Sequence, residues 1–151
     1  MGTVALTGKD TIKINGRILN DLADGDCANL THPNDAMVAK TGKNGNSLFA
    51  YNQTGKQVEL VLRVLRASPD DKFLNGLKAA MDLNPPGFVL MDGEFTKNIG
   101  NGRGVITGDT YSCEGGAFKR GVDVKENQEG DTEQAVEVWT LIFTNAPRSI
   151  G

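Results

Sequence analysis

Apolar and polar residues alternate from Lys56 to Ala67, which predicts a long β-strand with one buried face. One face of this strand is apolar throughout and consists of Val58, Leu60, Leu62 and Val64. The opposite face is mixed, because Glu59 and Arg63 lie there beside Val61. We therefore expect a long strand whose apolar face packs against a core.

The period changes to that of a helix directly after this strand. Ser68 suits the N-cap, Pro69 suits the first helical position, and Asp70 and Asp71 suit the positive end of the helix dipole. The apolar residues at helical spacing are Phe73, Leu74, Leu77 and Met81. Two prolines and a glycine then end the pattern, so one helix is predicted over about residues 69–84.

Shorter stretches with strand character surround these two elements. Asn15-Gly16 supplies the two positive φ angles of a type I′ turn, so Thr11 to Asn15 and Arg17 to Leu19 are predicted to form a hairpin. Further strands are predicted over residues 26–32, 88–97, 110–114, 117–124 and 132–144. About eight strands and one helix indicate a mainly β fold, a β-sandwich or barrel with one flanking α-helix. The length of 151 residues suits a single domain spanning 1–151.

Two segments depart from a simple sandwich pattern. In the last predicted strand, Glu133 and Glu137 share a face with Trp139, Leu141 and Phe143, and Val136, Val138 and Ile142 lie on the other face, so only the second half of the strand is apolar on both faces. We expect the helix or a neighbouring subunit to cover its second face. Residues 34–46 are polar, contain glycine and show no period, which predicts a long exposed loop of the kind that usually carries function.

The charge balance limits the partners of the protein. With 16 basic and 19 acidic side chains, the net charge is -3. This sign is opposite to that of proteins that grip phosphates, so contact with DNA is expected to be non-adhesive. No apolar run or N-terminal pattern indicates a membrane span or a signal peptide, and we expect the chain to stay in the cytoplasm where it is made. Cys27 and Cys113 are most simply two reduced thiols, although a disulfide between them stays open.

No combination of residues has the pattern of a catalytic, cofactor or zinc site. His32 is the only histidine and adjoins no nucleophile motif, so an exposed turn residue is the simpler interpretation. Cys27, His32 and Cys113 lack the paired spacing of zinc ligands. The glycines of residues 100–108 match neither the dinucleotide nor the P-loop pattern. We therefore predict that the protein is not an enzyme and binds no cofactor or metal.

Acidic residues crowd into the stretch from Lys125 to Trp139. They are Glu126, Glu129, Asp131, Glu133 and Glu137. The Glu129-Gly130-Asp131 segment has the composition of a turn between strands, so we interpret these acids as solvated, with nothing to raise a pKa or fix a metal geometry. A second acidic stretch around Asp24 and Asp26 lacks the full calcium-loop pattern, and calcium there stays open.

Three stretches resemble the tail tube proteins of contractile-tailed bacteriophages. They are "LTGKDTIKINGRILNDLADGD", "KTGKNGNSLFAYNQTGKQVELVLRVLRASPDDKFLN" and "KENQEGDTEQAVEVWTLIFTNAPRSIG". The resemblance covers nearly the whole chain and implies a β-sandwich or barrel subunit with one flanking helix. Six such subunits would form a ring, and rings would stack into a hollow tube through which the tape measure protein and then DNA pass.

The resemblance also implies partners and a location. The partners would be further copies of the chain in hexameric rings, the tail sheath, the tape measure protein, and the baseplate and tail terminator proteins. DNA would pass through the lumen without specific binding, and no membrane would be involved. The subunit would assemble in the host cytoplasm and end in the tail of the virion.

Two groups of residues become candidates for roles in such a tube. Acids that interrupt apolar strands are candidates for lining the lumen, where they would repel DNA: Glu59, Glu133 and Glu137. The predicted loop over residues 34–46 is the candidate contact to the next ring, with Asp35, Met37, Lys40, Lys43 and Asn44 as its candidate residues.

Other classes of protein stay open. A type VI secretion tube protein would share the ring architecture, and a minor head-to-tail protein would form a different ring. A barrel that binds oligonucleotides is disfavoured by the acidity and by an aromatic content of only 6%, because such proteins stack bases on aromatic rings. A hydrolase that uses carboxylates is the enzyme alternative, and it would require activity that depends on Glu129 and Asp131.

Overall fold

The computed structural model describes residues 5–6, 11–24, 27–126 and 132–151, with 5–6 and 132–133 described by their backbone alone. Within these residues the chain forms eleven β-strands and one α-helix. The strands are β1 (Ala5–Leu6), β2 (Thr11–Ile14), β3 (Arg17–Ile18), β4 (Ala28–Thr31), β5 (Met37–Thr41), β6 (Ser47–Tyr51), β7 (Val58–Leu65), β8 (Met91–Gly100), β9 (Ile106–Phe118), β10 (Val136–Asn145) and β11 (Arg148–Ile150). The helix α1 spans Pro69–Leu83, and short 3₁₀ turns span Gln53–Lys56, Pro85–Gly87 and Thr132–Ala135.

Nine strands form one antiparallel sheet in the order β3-β2-β8-β9-β10-β7-β4, with β1 also paired to β8 and β11 also paired to β9. The segment that follows β3 joins the two ends of this order. Leu19 donates its backbone N–H to Ile12 of β2, and Ala23 donates to Arg63 of β7. The sheet therefore closes on itself, which leaves fewer unpaired edges than an open sheet. The predicted mainly β class with one flanking helix is confirmed.

The core lies inside this closed sheet. The apolar face of β7 is buried as predicted, and it faces Trp139, Leu141 and Phe143 of β10. The rings of Phe118 and Trp139 pack 5.4 Å apart at 59°. Leu74 of α1 is fully buried in the same cluster, so the helix packs against the core side of the sheet.

The local signals of the sequence are confirmed at the first hairpin and at the helix start. Asn15 and Gly16 have φ angles of 50° and 80°, as a type I′ turn requires. The hydroxyl of Ser68 accepts the Asp71 backbone N–H at 3.3 Å and caps α1. Asp70 adds a tertiary role, because its carboxylate accepts the backbone N–H groups of Asn20 and Asp21 at 2.6 and 2.7 Å.

Two of the predicted elements are wrong. Residues 34–46 do not form a loop, because most of them belong to β5 and to the turn that connects it to β6. Residues 110–114 and 117–124 are not two strands, because a single strand, β9, continues through Gly115 and Gly116 to Phe118. Gly115 adopts a φ of 62°, and the pairing register with β8 shifts nearby, so the glycines produce an irregularity within one strand.

Gly116 lies where the core leaves no room for a side chain. A Cβ atom there would lie 2.3 Å from Cε1 of Phe143 and 3.0 Å from the carbonyl oxygen of Met91. We expect Gly116→Ala to lower the free energy of unfolding by about 1–3 kcal/mol, because overpacking displaces the ring or the strand. Urea denaturation measures this loss. The matched control is Gly121→Ala, where a Cβ would meet nothing within 4 Å, and equal losses in the two variants would contradict the packing described.

The two cysteines and the single histidine agree with the predictions of unpaired thiols and an exposed imidazole. Cys27 and Cys113 are both free, which confirms two unpaired thiols. Burial raises the pKa of the Cys113 thiol to about 11, so this thiol stays protonated and unreactive at neutral pH. His32 is exposed just after β4, in agreement with its interpretation as a turn residue.

Candidate assembly surface

The hairpin formed by β5 and β6, residues 37–51, forms a sheet of its own beside the closed sheet. Its strands pair in one regular register from Met37 opposite Tyr51 to Thr41 opposite Ser47. The turn at its tip is closed by the Gly42 N–H, which donates to the Asn46 carbonyl at 2.7 Å, and by Gly45 at a φ of 84°. The hairpin is therefore a regular β-ribbon with a defined turn.

All residues of both strands in this hairpin are exposed, although many of them are large and apolar. Side chains alternate between two faces, and residues directly opposite each other share a face. Met37, Phe49 and Tyr51 lie on one face, whereas Val38 and Leu48 lie on the other. Leu48 is 72% exposed and Phe49 is 66% exposed, so neither face packs on the subunit.

Close contacts join the two chain segments at the base of the hairpin. The Asn52 N–H donates to the Ala36 carbonyl at 2.9 Å, and the Asn34 amide donates to Gln57 at 3.0 Å. Gly55 lets the chain cross closely over this base, because a Cβ there would lie 2.6 Å from the Cα of Ala36. The hairpin therefore projects from an ordered base as an arm.

Exposure of both faces to water is unfavourable for such an arm. An isolated two-stranded hairpin is marginally stable in water, and exposed contiguous apolar surface usually marks a binding site. Apart from Lys40 and Lys43, residues 36–51 carry no charge. The arm is therefore an exposed, largely uncharged apolar surface of the kind that binding sites present.

The residues predicted to contact the next ring are distributed along this arm. Asp35 precedes β5, Met37 and Lys40 lie in β5, and Lys43 and Asn44 form the tip. The sequence correctly predicts that this segment is exposed, but it predicts neither the two strands nor their large exposed apolar side chains. Val38, Leu48, Phe49 and Tyr51 provide most of the apolar surface.

The three acids predicted to line a lumen occupy different environments. Glu59 lies on the outer face of β7, where its carboxylate pairs with the Lys119 ammonium and its side chain is 18% exposed. The side chain of Glu133 lies outside the described residues. Glu137 is only 8% exposed and lies on the core face of β10 beside Trp139, so the structure does not support it as a residue that faces a water-filled lumen.

Glu137 also corrects the interpretation of the acidic stretch as uniformly solvated. Residues 127–131 of that stretch lie outside the described part of the chain, and Glu126 is exposed beside Arg66. Glu137 instead lies next to Asp71 at the start of α1. Burial, together with the hydrogen bond and negative charge of Asp71, raises the pKa of Glu137 to about 7, although the Arg66 guanidinium lowers it in part.

The outer face of β10 remains partly open to solvent. Val136, Val138 and Ile142 are half-buried on this face, and the Lys119–Glu59 pair lies beside them across the sheet. The helix does not cover them, since it packs on the core side through Leu74. Of the two covers expected for this face, the helix is excluded, and a neighbouring subunit stays a prediction.

The described residues contain neither a cluster of metal ligands nor a helix that could span a membrane. Among them, no three histidine, cysteine or acidic side chains are grouped to hold a metal ion. No helix in the described ranges is long and apolar enough to span a membrane. The two surfaces with distinctive features are thus the apolar arm and the outer face of β7 and β10.

A scan of protein-family models and a search of curated proteins find no match to this chain.

Proposed function

We propose that the protein is the tail tube subunit of a contractile-tailed bacteriophage. The observation that carries this proposal is the arm of residues 37–51, which exposes apolar side chains on both faces. In a monomer these apolar side chains would stay exposed to water, which is unfavourable. A subunit of a stacked assembly buries it against another copy.

The shape of the arm favours a repeating assembly. In this proposal the arm binds a different surface on a second copy. Contacts between two different surfaces of the same chain propagate into rings or open-ended filaments, whereas a symmetric contact stops at a dimer. Stacking of rings along a tube is the arrangement that the sequence resemblance implies, and the arm would provide its contact from ring to ring.

The outer face of β7 and β10 would serve the second kind of contact. Its half-buried Val136, Val138 and Ile142 would pack against neighbours within a ring or contribute to the wall of the lumen. The negative charge of Glu59 on this face is neutralised by the ammonium group of Lys119. A lumen lined by this face would combine apolar side chains with paired charges, and Glu59 would neutralise the Lys119 ammonium that could otherwise bind phosphates.

The net charge supports a conduit for DNA. Each subunit carries a net charge of -3, and this charge would repeat around every ring and along the tube. A negative surface repels the phosphate backbone and lets DNA slide without adhesion. The tape measure protein would occupy the lumen before DNA, the sheath would surround the tube, and baseplate and terminator proteins would bind its two ends.

Concentrating the purified protein tests the proposal. We expect a sharp rise in light scattering above a critical concentration, because stacking is cooperative, and hollow tubes or six-fold rings in negative-stain micrographs. Sedimentation below this concentration gives the size of the building unit. A compact dimer that fills its contacts and grows no further would overturn the proposal, as would tight, salt-sensitive binding to single-stranded DNA by the monomer.

A further inference from the structure

A pocket of about 360 Å³ separates the start of α1 from β10. Asp71 and Lys72 line it from the helix, and Glu137 and Trp139 line it from the strand. Asp71 and Glu137 are both largely buried, at 9% and 8% exposure, and both line this one pocket. Two carboxyl groups so close together cannot both be charged at low cost in a partly dry environment.

Fixed donors hold Asp71 as the hydrogen-bond acceptor of the pair. Its Oδ1 accepts the indole N–H of Trp139 at 3.0 Å, and its Oδ2 accepts the backbone N–H of Ala67 at 2.9 Å. Asp71 also lies in the first turn of α1, where the helix dipole favours a negative charge. Glu137 is therefore the partner that carries a proton.

The nearest cation to Glu137, the Arg66 guanidinium, is shared among three partners. Arg66 lies 3.6 Å from the Glu137 carboxylate, but it also lies 3.8 Å from Glu126 and donates to the Gln134 carbonyl at 3.5 Å. Lys72 lines the pocket without an ion pair to Glu137 among the contacts of the described residues. The cations that face the pair thus do not neutralise it fully.

We propose that Glu137 and Asp71 share one proton, and that this proton latches the first turn of α1 to β10. Release of the proton to water leaves two adjacent carboxylates, whose repulsion acts directly between the helix and the strand. The hydrogen bond from Trp139 to Asp71 lies in the same pocket and would change with it. This inference does not depend on the proposed function, because it concerns the isolated subunit.

The direction of the pH dependence follows from the raised pKa of Glu137, about 7 against an ordinary value of 4.5. Because the folded state binds this proton more tightly than the unfolded state, the latch stabilises the fold fully below about pH 4.5. Its contribution is lost as the pH rises through about 7. We therefore expect α1 to be more loosely held at pH 8 than at about pH 6.

Trp139 provides a built-in probe, because it is the only tryptophan of the chain. We expect its fluorescence emission to shift in one transition with a midpoint near pH 7 between about pH 5 and pH 9. The shift should be absent in Glu137→Gln, whose side chain stays neutral at all these pH values. Persistence of the transition in Glu137→Gln, or a flat profile in the wild-type protein, would overturn the proposal.

Two matched controls isolate the pair. Glu126→Gln removes the exposed acid that contacts the same Arg66, and we expect the transition to remain. His32→Gln removes the only imidazole, and it too should leave the transition in place. Loss of the transition in either control would assign it to another group and would overturn the latch.

A measurement on the unmodified protein covers the case in which Glu137→Gln fails to fold. Carboxyl-carbon NMR of the wild-type chain follows the Glu137 side chain directly through the same pH range. A midpoint near pH 7 is the expected result. A midpoint near the ordinary value of glutamate would show that no proton is shared and would contradict the proposal.

Discussion

Replacing both Leu48 and Phe49 with serine is expected to abolish tubes while leaving the subunit folded. These side chains are 72% and 66% exposed and lie on opposite faces of the arm, so they contribute little to the stability of the monomer. Substitutions at exposed sites usually change the free energy of unfolding by less than about 0.5 kcal/mol. In an assembly, burial of two such side chains would contribute about 3–5 kcal/mol for each contact between rings.

A loss of this size raises the critical concentration for assembly by a factor of about one hundred to a few thousand, at about 1.4 kcal/mol for each tenfold change. Light scattering and negative-stain microscopy measure the loss, and thermal unfolding by circular dichroism checks that the subunit is intact. The control variant replaces Leu83 and Val89, which are also highly exposed but belong to the end of α1 and the segment after it. Tubes in the Leu48 and Phe49 variant, or equal losses in both variants, would contradict the role of the arm.

The second large effect is expected at Asp70, which holds the helix to the segment that closes the sheet. Asp70 is 1% exposed and accepts the backbone N–H groups of Asn20 and Asp21, and the Arg17 guanidinium at 3.1 Å. Asp70→Ala leaves these donors without their acceptor. Because a hydrogen bond to a charged group contributes about 1.5–3 kcal/mol, we expect the free energy of unfolding to fall by about 3 kcal/mol.

Asp82→Ala is the matched control in the same helix. Asp82 forms an ion pair with Lys78 one turn earlier, but its side chain is 59% exposed. Exposed pairs at this spacing contribute about 0.3–0.5 kcal/mol, so the control should unfold at nearly the wild-type urea concentration. Equal destabilisation of the two variants would show that Asp70 does not join α1 to the closing segment.

The elements that the sequence predicts correctly are those with local causes. The alternation of β7 shows directly in its residues, because one face of that strand is fully buried. The start of α1 depends on Ser68 and Pro69, which act on their own neighbours. The turn at Asn15-Gly16 is likewise determined by the conformational preferences of these two residues.

The arm could not be recognised in the same way. A strand that buries neither face has no need for alternation, so β5 and β6 lack the periodic signal that reveals strands packed on a core. Lys40, Thr41 and Gly42 gave the segment the composition of a loop. The apolar residues Leu48, Phe49 and Tyr51 could have revealed it, as a short apolar run directly after a glycine-containing turn.

The buried acids were missed because their partners are distant in sequence. Asp71 binds the indole of Trp139, 68 positions away, and Asp70 binds Asn20, 50 positions away. The rule that places acids at helix starts applies equally to exposed and buried residues. It cannot indicate that Glu137, from the last long strand, lies beside the same helix turn.

Cryo-electron microscopy of the concentrated protein tests the central claim, that this chain is a subunit that stacks into a hollow tube. We predict a tube of stacked rings in which the arm, residues 37–51, is buried against a subunit of the adjacent ring. The outer face of β7, which carries Glu59, should face the lumen or a neighbour within the ring. An assembly without a lumen, or a tube whose arms all extend freely into solvent, would contradict this account.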